Sequence, residues 1–274
     1  PPLHGTGAAG RLMQDIVERV PSLSFIDVAD ILVFARSGRS DAEGAFATCQ
    51  CLSLPASEPG YYFWRDRASG CITRRSEWFV TKSPVVMIGQ RRIKYLLSFA
   101  LPRFCDQSLS RSRKQAHYDG CDNWITKLDT IVHELYHIDP ERTGIRRMER
   151  ADGTASAHCH GQHFFRQVVS MVKQYLATNP NPEIYDFLRH DFSELQNRFG
   201  GVVGTTFRAF PSYPQRYTEA LVPQPPSADA EHCRIDPIKP TRLARVFTED
   251  DLVMREFLPE ASRRLVRKGA FRAA

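Results

Sequence analysis

The sequence lacks any apolar run long enough to cross a bilayer, and it shows no internal repeat. Its longest uncharged apolar stretch, residues 31–35, is strand-sized, whereas a spanning helix needs about 18 such residues. An even set of cysteines is missing too, since there are seven in a chain of 274 residues, which is too large to need disulfide stapling. These absences lead us to expect no membrane partner, reduced thiols and a cytoplasmic protein.

The composition is that of a globular protein with a basic surface. Hydrophobic residues make up 42% of the chain and aromatic residues 11%, and the net charge is +6. The charge permits an anionic partner, so nucleic acid is kept as a second partner beside a protein or peptide. Because aromatics are not interleaved with the basic clusters, we favour a solvated face for them. These clusters contain Arg111, Arg113, Lys114, Arg146, Arg147, Arg150, Arg263, Arg264, Arg267 and Lys268.

Composition divides the chain into three parts. Residues 1–222 are expected to form one domain, although Gly200-Gly201 and later prolines favour irregular structure towards its end. Residues 223–240 contain five prolines and are interpreted as a linker. Residues 241–274 are a basic extension in which a helix over 249–267 is predicted. Nothing in the sequence indicates an oligomeric state.

The spacing of apolar residues predicts both helices and strands. Residues 93–101 alternate between the two faces of a strand, which is typical of a half-buried strand, and Pro102 ends it. Residues 106–120 are polar and are predicted to be a loop or weak helix. Other strands are predicted over residues 31–35, 45–54, 61–64 and 85–88. Helices are predicted over residues 11–20, from Asp122 or Asn123 to Asp139, and over residues 162–177 and 183–190.

The helix that follows Asn123 contains the motif His133-Glu134-Leu135-Tyr136-His137. Side chains four residues apart lie on one helix face, so two imidazoles can occupy adjacent corners of a tetrahedral zinc site. Glu134 then lies close enough to activate a water molecule without binding the metal. The motif predicts His133 and His137 as zinc ligands and Glu134 as the catalytic base.

The same helix carries an apolar stripe that is expected to anchor it. The stripe residues are spaced 4, 3, 4 and 3 apart, as on one face of a helix. At about 100° per residue the two histidines point almost opposite to it, and we expect them to face a cleft. The stripe comprises Trp124, Leu128, Ile131, Leu135 and Ile138.

Catalytic zinc usually has a third protein ligand, for which several candidates exist. The metzincin pattern is excluded because positions 140 and 143 hold Pro and Thr. A glutamate ligand would come from Glu183 or Glu194, neither in a persuasive setting. The better candidates lie in a cluster downstream of the motif: His158, Cys159, His160 and His163.

The segment His160-Gly161-Gln162-His163-Phe164, together with the upstream motif, resembles the SprT-like metallopeptidases. That family includes the DNA–protein crosslink protease Spartan, and the chain also resembles putative phage metallopeptidases. In the family, His-Gly-x-x-Phe opens the helix after the motif helix. The resemblance covers roughly residues 85–176 and implies that His160 is the third ligand, with His163 and His158 as alternatives. The family's carboxy-terminal zinc ribbon has no counterpart, because Cys233 stands alone.

The resemblance implies an α+β zincin-like fold, with a small twisted sheet packed on the motif helix. It also implies that residues 93–101 form an edge strand for substrate, although an internal strand is an equal alternative. Four residues are weak candidates for stabilising an oxyanion: Tyr136, His158, Tyr213 and Tyr217. We therefore expect a zinc metalloendopeptidase that hydrolyses protein or peptide substrates. The alternatives are a DNA-associated protease and a non-catalytic module organised by zinc.

Overall fold

The protein is a mixed α+β structure. The computed structural model describes residues 1–40, 44–52, 61–65, 72–81, 85–140, 144–146, 148–149, 155–156, 160–208, 215–217 and 246–258. The predicted linker at 223–240 and the basic tail beyond residue 258 lie outside these residues. No helix in the described part of the chain is long and apolar enough to span a bilayer.

The described helices and strands come in runs along the chain. The helices are α1 (Gly5–Arg19), α2 (Ile125–Tyr136), α3 (Gln162–Ala177), α4 (Pro182–Tyr185) and α5 (Phe192–Phe199). The strands are β1 (Leu3–His4), β2 (Ile31–Gly38), β3 (Ala47–Cys51), β4 (Tyr61–Arg65), β5 (Ile72–Thr81), β6 (Met87–Ile88), β7 (Arg91–Arg92), β8 (Tyr95–Pro102), β9 (Met148–Glu149), β10 (Ala155–Ser156), β11 (Val202–Phe207), β12 (Gln215–Tyr217) and β13 (Leu252–Phe257). Seven strands lie between α1 and α2, and three helices lie between β10 and β11. Short 3-10 turns cover Leu109–Arg111 and Arg113–His117, where a loop or weak helix was predicted.

The sheet nearest the motif helix has the order β2-β8-β3. Strand β2 pairs with β8 in parallel and β3 pairs with β8 antiparallel. The strand predicted over residues 93–101 is therefore internal, and the edge-strand alternative for it is wrong. All eight residues of β8, Tyr95–Pro102, are buried, so the half-buried prediction is wrong as well. The reason is that apolar layers cover both of its faces.

A large hydrophobic core joins one face of this sheet to the helices. Leu97 and Phe99 of β8 contribute to it, as do Leu12 and Ile16 of α1. Helix α1 starts earlier than the predicted residue 11, because the His4 side chain accepts a hydrogen bond from the Gly7 amide and caps it. Helix α3 matches the predicted residues 162–177 at both ends.

A smaller apolar cluster lies on the other face of the sheet, where Leu96 packs with Val86, Phe207 and Phe247. A second sheet of order β1-β11-β13 packs beside β2 and contributes to both clusters, with Val202 and Phe257 in the larger core and Phe207 in the smaller one. Gly204 permits the close approach of β11, because a Cβ there would lie 2.9 Å from the Cβ of Ala35 on β2.

Two predictions for the second sheet were wrong. Regular structure continues after Gly201 as strand β11, and residues 252–257 form strand β13 where a helix was predicted. The physical reason is tertiary: these two strands pair antiparallel over six residues, from Val202–Phe257 to Phe207–Leu252. That pairing satisfies their backbone groups in a way that local propensity does not reveal.

Candidate metal centre

Helix α2 holds the first half of the site and is buried on nearly every side. Four of the five predicted stripe residues are fully buried, and Trp124 is half-buried and stacks on Tyr185. The predicted N-cap was wrong. Trp124 occupies the cap position without a side-chain bond, and Asn123 instead accepts a hydrogen bond from the Leu109 amide. The side chain of Asn123 therefore holds the preceding loop to the start of α2.

The helix ends at Tyr136, earlier than the predicted Asp139, and His137 is its C-cap. A short bridge between Ile138 and Ile145 takes over from the helix. The Arg146 amide donates to the His137 carbonyl at 2.7 Å. This return of the chain fixes the backbone of His137 at the point where Pro140 forbids further helix.

Three imidazoles converge at the end of α2 and the start of α3. The Nε2 atom of His137 lies 3.1 Å from Nε2 of His133 and 3.0 Å from Nε2 of His160. Within the described residues, these three side chains form a group whose ligand atoms lie within 4.8 Å of one another. Nitrogens bound to one tetrahedral zinc ion at about 2.1 Å are about 3.4 Å apart. The donor set and its spacing therefore fit a divalent metal ion.

The chemical state of the histidines also fits a metal site. Burial, together with the nearby His137, Lys114 and His160, lowers the pKa of His133 to about 2. The neutral imidazole is the form that binds a metal ion. His160 is exposed, so the group opens to solvent on one side.

Of the candidates for the third ligand position, the structure places His160 beside His133 and His137. His160 belongs to the group, whereas His163 is exposed on α3 and does not. His158 and Cys159 lie outside the described residues. Glu183 and Glu194 also stay out of the group, because both lie near the starts of helices α4 and α5 and Glu194 forms a capping box there.

Phe164 forms the floor of the group. Its ring is 1% exposed, and its centroid lies 4.8 Å from that of His133, 5.0 Å from His137 and 4.9 Å from His160. Because one rigid ring touches all three imidazoles, it restricts their rotation. The sequence pattern His-Gly-x-x-Phe already contained this residue, but its contact with the ligands was not predicted.

Glu134 is 6% exposed and lies beside the first two histidines on α2. Burial raises its pKa to about 7, although a hydrogen bond from the Cys49 amide and the charges of Lys114 and Arg36 oppose that rise. A carboxylate with a pKa near neutrality can both accept and release a proton at physiological pH. Cys49 was missed by sequence reasoning, because only the tertiary fold brings β3 to α2.

Lys114 was assigned to a solvated basic face, and that prediction was wrong. Its Nζ lies 2.7 Å from Asp129 Oδ1, in an ion pair without hydrogen-bond geometry, and it donates to Thr130 Oγ1 at 2.8 Å. The Tyr118 hydroxyl donates to the other Asp129 oxygen at 2.6 Å. This network ties the segment before α2 to Asp129 and Thr130 on the helix. It also places the positive charge of Lys114 near Glu134.

Other predicted residues lie in varied places. Arg146 is half-buried, with its guanidinium 4.2 Å from the Tyr136 ring centroid, so a solvated face is wrong for it too. Tyr136 is buried between that guanidinium and Phe164, which makes it a packing residue of the site. The side chains of the other basic-cluster residues and of Tyr217 are not described, and Tyr213 lies outside the described residues.

Comparison with known proteins adds no assignment to this geometry. No protein-family model, curated protein or solved structure matches the chain.

Proposed function

We propose that the chain is a zinc-dependent peptidase of the zincin type, with a fold and site like those of the SprT-like metallopeptidases. The observation that carries the proposal is the convergence of three imidazole nitrogens beside a buried carboxylate. In this arrangement His133, His137 and His160 would hold the metal. Three nitrogen ligands leave one position of a tetrahedral ion open, as a catalytic site requires.

Zinc in this position would polarise a peptide carbonyl and lower the pKa of water. Glu134 accepts a proton from that water and later delivers it to the leaving amine nitrogen. The Cys49 amide fixes the orientation of the Glu134 carboxylate during both transfers. A carboxylate in this place has no role in a site that only holds a fold together.

Strand β3 offers a place for an extended substrate. The Ala100 amide bonds to the Phe46 carbonyl and the Leu52 amide bonds to the Lys94 carbonyl. Because antiparallel bonding alternates along a strand, the odd-numbered positions between them turn their backbone groups away from β8. Cys49 follows this pattern, since its amide reaches Glu134. Since Glu134 occupies the Cys49 amide, a peptide that added to this side of β3 would pair through the outward backbone groups of Ala47 and would lie beside the proposed zinc ligands.

The test compares wild-type protein with Glu134→Gln and with Glu183→Gln, an exposed carboxylate on α4 that serves as a matched control. Zinc content is measured by mass spectrometry, and cleavage is measured on an unfolded protein substrate. We expect all three proteins to keep zinc and only Glu134→Gln to lose cleavage, by at least about a hundredfold. Equal cleavage by all three would contradict the proposal, and zinc without any cleavage would indicate a structural metal site.

Nucleic acid is a separate partner and needs its own measurement. A DNA-associated protease has the same chemistry but would be retained on DNA in a salt-dependent way. Two residues of the predicted basic clusters have described side chains, Lys114 and Arg146, and they are engaged with Asp129 and Tyr136. We therefore expect retention on a DNA column to be lost by about 0.2 M salt.

A further inference from the structure

Two arginines meet at the beginning of β3, a short distance from Glu134. Arg36 extends from β2, donates from Nε to Ser98 Oγ at 3.2 Å and donates from Nη2 to the Ala45 carbonyl at 2.8 Å. Its guanidinium is therefore held against the backbone that leads into β3. Arg103 follows β8, and its guanidinium lies 5.0 Å from the centroid of the Phe46 ring.

Arg103 is unusual because no counter-ion in the described part of the chain accompanies its buried charge. Arg103 is only 9% exposed, and its Nε atom is buried with no hydrogen-bond partner. Among the described residues, no carboxylate forms an ion pair with Arg103 or Arg36. Burying a cation is costly unless an anion compensates it. Arg103, together with Arg36, which is half-buried and bonded to Ser98 and Ala45, therefore forms a positively charged group suited to an anion that arrives from outside.

The two guanidinium groups lie close enough to influence each other and the carboxylate on α2. Burial and the charge of Arg103 lower the pKa of Arg36, and the charge of Glu134 raises it. Arg36 reaches the Ala45 carbonyl just before β3, and Glu134 reaches the Cys49 amide within β3. Four residues of chain extend over at most about 13 Å, which is within the reach of a short extended peptide.

We propose that Arg36 and Arg103 bind the carboxylate of an acidic residue in the peptide substrate, roughly two to four positions from the scissile bond. The inference rests on the peptidase proposal, because it assigns specificity to that site. A planar guanidinium matches the two oxygens of a carboxylate, and two of them around one anion also relieve their mutual repulsion. Phe46, which is 36% exposed, borders the pair on the solvent side. A peptide that pairs with β3 and continues past Ala47 towards Phe46 reaches the pair, which favours a peptide carboxylate over the phosphate of a nucleic acid.

The experiment measures binding first, so that it does not depend on catalysis. Zinc-loaded full-length protein with Glu134→Gln is titrated with fluorescent decapeptides in which one Asp or one Asn is moved along the sequence. We expect the best Asp peptide to bind roughly 10- to 100-fold more tightly than its Asn counterpart. Equal binding of every Asp and Asn pair would overturn the proposal, and this measurement requires no change to either arginine.

Adding Arg103→Gln to that protein should reduce the Asp preference to about twofold or less. Arg11→Gln, which removes an exposed charge on α1, should leave the preference intact. If Arg103→Gln fails to fold, Arg36→Gln must give the same loss. A single-stranded oligonucleotide that displaces the Asp peptide, binds more tightly and depends on Arg103 would overturn the proposal in favour of a phosphate site.

Cleavage by protein with Glu134 intact separates this inference from the proposed function. Cleavage of Asp and Asn peptides at equal kcat/KM would refute the acidic subsite and leave the peptidase standing. An Asp preference in binding, with no cleavage of any peptide, would refute the peptidase and leave only an anion-binding pair.

Discussion

Replacing Phe164 with Ala separates the stability of the core from the support of the metal site. The ring is 1% exposed and contacts all three histidines, so its loss leaves a cavity that costs about 3–5 kcal/mol of unfolding free energy. Phe192→Ala is the matched control, because that ring is also 1% exposed but lies on α5 away from the histidines. We expect the two variants to lose similar stability without zinc.

Zinc should distinguish the two variants. Loss of a group that orients metal ligands typically weakens affinity by about 10- to 100-fold. At the same excess of zinc, each tenfold loss of affinity removes about 1.4 kcal/mol of zinc-dependent stabilisation. Urea unfolding with and without zinc measures this difference directly. If Phe164→Ala gains as much stability from zinc as Phe192→Ala does, the ring does not hold the imidazoles and the reasoning fails.

Three further predictions concern the scaffold. Burial alone would raise the pKa of Asp30, but hydrogen bonds from basic side chains lower it below its ordinary value of 3.8. The stability that the ionised carboxylate contributes is present above that pH and should fall as the pH drops through the lowered pKa. In acid unfolding, Asp30→Asn should therefore show a weaker dependence of stability on pH. In urea unfolding, Gly204→Ala should cost about 1–3 kcal/mol because its methyl group would clash with β2. Gly10→Ala, where a Cβ would meet nothing within 4 Å, should instead stabilise α1 by about 0.5–1 kcal/mol. Equal effects of the two substitutions would contradict the close packing of Gly204 on β2. In the same assay, Asp129→Ala should cost about 3–5 kcal/mol because it leaves the partly buried Lys114 without its ion-pair partner. A loss below about 1 kcal/mol would show that water screens the pair.

The motif helix and the helix after it could be predicted from the sequence because their signals are local. The apolar stripe and the spacing of His133 and His137 depend only on helical periodicity. His160 was expected from its family-like segment, and the structure places it with the other two. What these residues have in common is that short stretches of chain determine their relative positions.

The rest of the site depends on contacts between distant segments. The Cys49 amide meets Glu134 only because β3 pairs with β8 at the edge of the sheet. The internal position of β8 and the strand over residues 252–257 depend on partners far away in sequence. Lys114 was predicted to be solvated for the same reason. The sequence does not show which of the acidic residues it contacts, and only the fold brings it to Asp129.

The coordination of the bound metal tests the central claim most directly. Zinc-edge X-ray absorption of the purified protein should give three nitrogen ligands at about 2.0–2.1 Å and one further light atom from solvent. His160→Ala should remove one of the nitrogens. A spectrum with sulfur at about 2.3 Å, or protein that binds no zinc at all, would contradict a catalytic site built from these three histidines.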